Sequence, residues 1–299
     1  MSNIIEVKHL SKSFHGKKAV DDLSFSVTEG QLFAFLGQNG AGKSTTINML
    51  VGLSQKDSGE IQYENGKQFS DFKNNIGVVF QNNVFENLLT VKENILFYGA
   101  LSENKQDKDN KRYDELMELF SLRDVEKQKF GTLSGGQKRK AEIARAIWGN
   151  PKILFLDEPT TGLDPKTRNE VWHILRNLQQ QSGMTVFLTT HYMEETEDAD
   201  EVVIIHKGKK IATGSPAELK ALYSKDSLQI TPKNAEFFEK KLSEINEDYK
   251  KTADTYTLFP DNSQKAISLL TMLNNNINYF EMKRGSMDDV FLAAVGEKI

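Results

Sequence analysis

Cysteine is absent from this chain. That single fact excludes disulfides, cysteine-ligated zinc, iron–sulfur clusters and thiol nucleophiles, and it fits a reducing compartment. Proline is scarce, at 6 of 299 residues, and glycine stands at 20, so the chain is neither collagen-like nor a low-complexity disordered tract. A strong charge imbalance is missing as well. With 38 basic and 42 acidic side chains the net charge is −4, whereas a dedicated nucleic-acid binder is usually basic with a pI above about 9. The longest apolar run, 32–37, is about six residues, against the roughly 20 that cross a bilayer. The opening residues MSNIIEVKHL carry Glu6 and no extended apolar stretch, so no signal peptide is expected. These absences predict a soluble, cytoplasmic protein without a nucleic-acid partner.

What is present is an alternation. Short β-branched and aromatic runs at 4–7, 23–27, 32–36, 76–80, 153–156, 186–189 and 202–205 are separated by helical patterns. Such a series predicts an α/β protein with a parallel sheet covered by helices. The length suggests about two domains and enough chain to bury roughly 75% of the extended surface. From about 88 to 150 no good strand is legible, and polar periodic stretches at 91–101 and 109–122 read as helices, which predicts an inserted helical subdomain. The charged stretch 103–112 reads as a solvated loop and helix start. Beyond 222 the order becomes strand, helix, strand, helix, strand, helix, so 1–221 is expected to be the main domain and 222–299 a small α/β domain.

The strand 32–36 runs into GQNGAGKST, from Gly37 to Thr45, and then into a helical pattern. This matches the phosphate-binding pattern G-x-x-x-x-G-K-[ST] in its strand-to-helix setting. Glycines allow backbone N–H groups to approach phosphate oxygens, and the helix start adds positive partial charge. Lys43 is then placed for the β- and γ-phosphates of a nucleotide and the Ser44 hydroxyl for Mg²⁺. A second apolar strand, 153–156, ends in Asp157 and Glu158. Of two consecutive side chains only one faces the metal, so Asp157 suits the ion, directly or through water, and Glu158 the attacking water. A third feature, Ser134-Gly135-Gly136-Gln137, opens a helical pattern. It reads as an N-cap, and equally as an anion site. Since the chain already holds one phosphate loop, a second anion site implies a second chain.

These motifs, in this order, resemble the ATPase subunit of an ATP-binding cassette (ABC) transporter, whose signature is the LSGGQ found here at Leu133 to Gln137. The resemblance covers about 3–220 and implies a P-loop NTPase core that binds and hydrolyses ATP with Mg²⁺. It implies that Gln81 contacts Mg²⁺ and the water, and that His191 contacts the γ-phosphate. Phe14 aligns with the aromatic that stacks on adenine, a position usually held by Tyr. Gly37, Asn39, Gly40, Ala41, Gly42, Lys43, Ser44 and Thr45 are implied to cradle the phosphates. Ser134, Gly135, Gly136 and Gln137 serve the nucleotide of a second cassette, and Asp164, in Gly162-Leu163-Asp164-Pro165, lies in the loop through which two subunits sense each other. The implied metal ligands are Ser44, Gln81 and Asp157. The tail SMDDVFLAAVG at 286–296 and Tyr192-Met193-Glu194-Glu195 are similar to the drug- and polysaccharide-exporting branch. The resemblance therefore implies a head-to-tail pair of cassettes driving a separate integral membrane permease from the inner face of the cell membrane. The expected cargo is a drug, antimicrobial peptide, lipid or polysaccharide. The rival from another class is a soluble cassette ATPase of translation or genome maintenance. One cassette, a short insertion and no sustained heptads fit that rival poorly. The last helix is expected to start at a Ser286/Asp289 capping box and to bury Met287, Val290, Phe291, Ala294 and Val295.

Overall fold

Strands that read LFAFL, ILFLD and TVFLTT offer no polar side, and a sheet made of them needs cover on both faces. The computed structural model describes residues 2–101 and 110–296, and it builds such a sheet in the first of two units, Met1–Ser215. In chain order this unit holds β1 (Asn3–Phe14), β2 (Lys17–Thr28), β3 (Leu32–Leu36), α1 (Lys43–Leu50), β4 (Ser58–Tyr63), α2 (Phe69–Phe72) and β5 (Ile76–Val79). There follow α3 (Val91–Leu101), α4 (Asn110–Leu119), α5 (Gly135–Ala146), β6 (Ile153–Asp157), α6 (Pro165–Ser182), β7 (Thr185–Thr190), β8 (Glu201–His206) and β9 (Lys209–Gly214).

The main sheet has the order β5-β6-β7-β3-β8-β9. Its neighbours are parallel except β8 and β9 at one edge. A smaller antiparallel sheet has the order β2-β1-β4. Five phenylalanines, Phe25, Phe33, Phe35, Phe155 and Phe187, join the two sheets, with ring centroids from 5.0 to 6.1 Å apart. All five are buried, and burying each contributes about 1.5–3 kcal/mol relative to leaving it exposed. Because β3, β5, β6 and β7 are parallel, their carboxyl ends share one edge, where α/β sheets bind ligands.

Two strands escaped the sequence reading. β4 has a single buried residue, Tyr63, and β9 a single one, Ala212, so neither shows a clear apolar pattern. Among the described residues, helices α3, α4 and α5 and no sheet strand lie between β5 and β6. The expected helix 109–122 is observed as Asn110–Leu119, while the expectation for 103–109 lies outside the described residues.

The second unit, Pro216–Ile299, holds α7 (Pro216–Tyr223), β10 (Ser227–Pro232), α8 (Ala235–Glu244), β11 (Tyr249–Thr252), β12 (Thr255–Leu258), α9 (Ser263–Leu273), β13 (Ile277–Lys283) and α10 (Met287–Val295). Its antiparallel sheet, ordered β11-β12-β10-β13, has the β-α-β-β-α-β connection of ferredoxin-like domains. Leu228, Ile230, Tyr256 and Leu258 from the sheet meet Phe238 and Leu242 of α8 and Leu269 and Leu273 of α9 in its core. The three expected strands are corrected to four, since β11 (YKKT) is exposed throughout and carries no alternation. The division falls at 215/216 rather than 221/222, because α7 packs on α10. α10 starts at the Ser286/Asp289 capping box and buries Met287, Val290 and Phe291, while Ala294 and Val295 are only partly covered.

Candidate active site

β3 ends at Leu36 and a glycine-rich loop carries the chain into α1. Gly42 is required there: its φ is +106°, and a Cβ would stand 2.4 Å from the Ala19 carbonyl oxygen. Gly40 also has positive φ, +79°, but its Cβ direction is open, so ligand can approach the backbone closely there. The start of α1 adds backbone N–H groups with no helical partner and the positive end of the helix dipole. Against this loop lies a cleft of about 450 Å³. Its walls include Phe14, Asn39, Gly40, Gly42, Lys43, Ser44, Thr45, Gln81 and Glu158, with Lys17, Lys18 and Ala19. Gly37 and Ala41 instead face inward. Gly37 packs on Ile205, and Ala41 is buried.

The polar centre is a chain of contacts. Lys43 Nζ lies 2.9 Å from Glu158 Oε1 and donates to the Gly37 and Gln38 carbonyls at 2.7 and 3.3 Å. Glu158 Oε2 lies 3.1 Å from His191 Nδ1 and accepts from the Thr161 hydroxyl at 3.1 Å. Lys43 and Glu158 are buried, with 4% and 6% of their surface exposed. Burial pushes the Glu158 carboxyl up, but the hydrogen bond and charge of Lys43, with His191 and Thr161, outweigh it and hold the group below its ordinary value. Glu158 is thus a carboxylate at neutral pH.

Thr189 holds both acids. Its hydroxyl donates to Asp157 Oδ1 at 2.6 Å and accepts the Glu158 N–H at 3.0 Å. Glu158 has φ +47°, uncommon for a residue with a side chain. Such backbone costs about 1–3 kcal/mol and persists only where the surroundings fix it. Here the fixing bonds are the two from the Glu158 N–H, to Thr189 Oγ1 and to the Thr189 carbonyl at 3.2 Å.

The segment after β5 is held by α5. Arg139 donates to the Phe80 and Gln81 carbonyls at 2.8 and 3.2 Å. Glu142, buried, accepts the Val84 and Phe85 N–H groups at 2.7 and 3.0 Å and pairs with Arg145 at 3.2 Å. Sequence reasoning missed these residues. Charges at 139, 142 and 145, spaced i, i+3 and i+6, equally suit a solvated helix face, so the sequence did not mark them.

Five expected residues stand elsewhere in the same chain. Ser134 caps α5 and forms a capping box with Gln137, with bonds of 3.3 and 3.0 Å. A Cβ on Gly136 would stand 2.2 Å from Thr167 Cγ2, so α5 and α6 touch at this glycine. Asp164 caps α6 by accepting from the Thr167 N–H at 3.1 Å. None of Ser134, Gly135, Gly136, Gln137 and Asp164 lines the Lys43 cleft.

Comparison with known proteins supplies the family. The family described as ABC transporter matches 20–161, and the one described as ATP-binding protein DrrA1-3-like, C-terminal domain, matches 214–295. The chain is 35% identical to the daunorubicin/doxorubicin resistance ATP-binding protein DrrA of Streptomyces peucetius, over 98% of this chain and 92% of that protein. The chain belongs to the ABC transporter family. It is an ABC ATPase with the α/β P-loop fold. Similarity to the linearmycin resistance ATP-binding protein LnrL of Bacillus subtilis is 39% over 76% of this chain and 75% of that one. Among solved structures, cbiO1 from Clostridium perfringens aligns with a TM-score of 0.67 and 28% identity, covering 74% of this chain and 92% of that one. A dimeric cassette in a post-hydrolysis state bound to ADP and Pi aligns at 0.65 and 26%, covering 71% and 98%. Among the described residues no helix is long and apolar enough to cross a membrane.

Proposed function

We propose that this ABC ATPase drives export by a separate integral membrane permease, from a peripheral position on the inner face of the cell membrane. The observation that carries the chemistry is the Lys43–Glu158–His191 cluster at the mouth of the phosphate loop. On binding ATP, Lys43 exchanges Glu158 for the β- and γ-phosphate oxygens. Glu158, released from its ion pair and still held by His191 and Thr161, then orients and deprotonates the attacking water. His191 meets the γ-phosphate, Phe14 stacks on the adenine, and Gln81 reports the state of the site to the permease. The backbone of Gly37 to Thr45 wraps the phosphates.

The oxygen donors suit Mg²⁺. Among the described residues no group of three His, Cys, Asp or Glu gathers as a metal site, and Mg²⁺ is usually held by few protein oxygens plus substrate phosphates. Ser44, Gln81 and Asp157 would hold it, Asp157 through water. When bound, the ion neutralises phosphate charge.

The two sets of motifs support a head-to-tail homodimer. Ser134 and Gly135 are exposed at a helix start outside their own chain's cleft, with Gly136 and Gln137 behind them, so this end of α5 can face the γ-phosphate held by Lys43 of a second copy. Asp164 lies on the connecting loop. The resistance and Nod factor export names of the relatives favour export over the soluble cassette alternative.

The test is Glu158→Gln. ATP affinity should stay near that of the unaltered chain, turnover should fall by about 10²–10⁴-fold, and light scattering with Mg-ATP should reveal an accumulated dimer. Turnover near the original level would remove Glu158 from the role of base.

A further inference from the structure

The Glu158–His191 contact has a brace behind it that no nucleotide motif includes. Glu195 lies in the turn after His191, and 4% of its surface is exposed. Its two carboxylate oxygens accept from two different hydroxyls. Oε1 takes the Thr160 hydroxyl, on the loop that leaves Glu158, and Oε2 takes the Thr190 hydroxyl, at the end of β7 immediately before His191. Thr190 Oγ1 also accepts the Tyr192 N–H at 3.0 Å, which fixes the backbone on the far side of His191. Thr161, next to Thr160, donates to Glu158 Oε2.

These contacts close a ring. From Glu158 it runs through Thr161 and Thr160 to Glu195, then through Thr190 to His191, and returns to Glu158 across the 3.1 Å contact. Beyond the ring, Arg168 covers Glu195, with Nε 3.9 Å from Oε1 and its guanidinium 4.3 Å from the Tyr192 ring centroid. A buried carboxylate with two hydroxyl donors is a strong two-armed connector, since hydrogen bonds to a charged acceptor are shorter and stronger than neutral ones.

We propose that Glu195 is a positioning residue for ATP hydrolysis, setting the separation of Glu158 and His191 by bridging Thr160 and Thr190. This rests on the reading of Glu158 as the base. Glu195 does not line the Lys43 cleft, so its loss acts on the geometry of the transition state and not on ATP binding. A displacement of about 1 Å at reacting groups costs up to about 10²-fold in rate.

The experiment compares Glu195→Ala, Glu195→Gln, Thr160→Val and Glu158→Gln in the full chain, by steady-state ATP turnover and by fluorescence titration of ATP. Glu195→Ala should lower kcat about 10- to 100-fold with ATP affinity within about threefold. Glu195→Gln should recover most of that loss, because an amide accepts from one threonine and donates to the other. Thr160→Val, nearly isosteric, cuts the ring without emptying the Glu195 site and should lower kcat in the same direction. Combining it with Glu195→Ala should add little further loss, as members of one network are not additive. If Glu158→Gln abolishes turnover while Glu195→Ala and Thr160→Val leave kcat intact, the positioning role is overturned and the base remains. If Glu158→Gln keeps its turnover, the base reading falls and the positioning role falls with it. If kcat and ATP affinity drop together in Glu195→Ala and Glu195→Gln restores neither, Glu195 only supports the fold.

Discussion

Lys43 and Glu158 neutralise each other where both are largely withdrawn from water, and that decides what each substitution does. Lys43→Ala removes the cation proposed to hold the phosphates, so ATP affinity should fall well beyond threefold in a fluorescence titration; affinity within threefold would contradict the assignment. The same pair makes stability depend on pH. Glu158 has a folded pKa below its ordinary 4.5, so its contribution is fully present above about pH 4.5 and fades as pH falls through the lowered value. Glu158→Gln leaves Lys43 buried without its counter-charge, which destabilises. The stability gap between the two proteins, measured by urea unfolding, should be flat from about pH 6 to 8 and narrow below about 4.5. A gap that widens in acid would rule out a lowered Glu158 pKa.

At the scale of elements, helix starts hold this molecule's functional segments in place. α5 begins at Gly135 and touches α6 through Gly136, whose missing Cβ is what lets Thr167 sit there. Thr167 cannot simply rotate away, since its hydroxyl is bound to Asp164. Gly136→Ala should therefore lower the melting temperature and weaken Mg-ATP-dependent dimerisation. Adding Thr167→Ser, which removes the clashing methyl and keeps the hydroxyl, should restore part of the melting temperature. No recovery would mean that the contact with α6 is not what constrains this glycine. In the second unit, Ser286→Ala should cost about 1 kcal/mol by removing the α10 cap. Phe291→Ala should cost about 3–5 kcal/mol from the core side of the same helix, and chemical unfolding distinguishes the two.

On the scale of the whole molecule, each unit has its own buried core and the Lys43–Glu158–His191 cluster lies wholly in the first. A chain ended at Ser215 should fold and bind ATP as the full chain does, yet dimerise or couple to the proposed permease less well. Isothermal titration and light scattering on the shortened chain test both halves of this expectation. A folded Met1–Ser215 chain that fails to bind ATP would place part of the site in the second unit.

The amino-acid sequence by itself determined the features whose chemistry is local. Gly37 to Thr45 could be read because a phosphate loop is contiguous, and its glycines follow from backbone conformation, as Gly42 with φ +106° illustrates. β3, β6 and β7 were legible because strands covered on both faces are apolar without interruption. The Ser286 capping box and the Ser134 N-cap were legible because the groups they bind are three residues away. Strands β4, β9 and β11 were not, since edge positions leave their side chains in water and remove the pattern. Only the tertiary structure decided the partners of buried charges. Glu195 bridges Thr160 and Thr190, and Glu142 holds Val84 and Phe85 across an interval of 57 or 58 residues. In the sequence such residues are indistinguishable from the acids of a solvated helix face. What separates them is desolvation, because a buried carboxylate must find donors, and which donors it finds depends on how strands far apart in the chain are packed side by side.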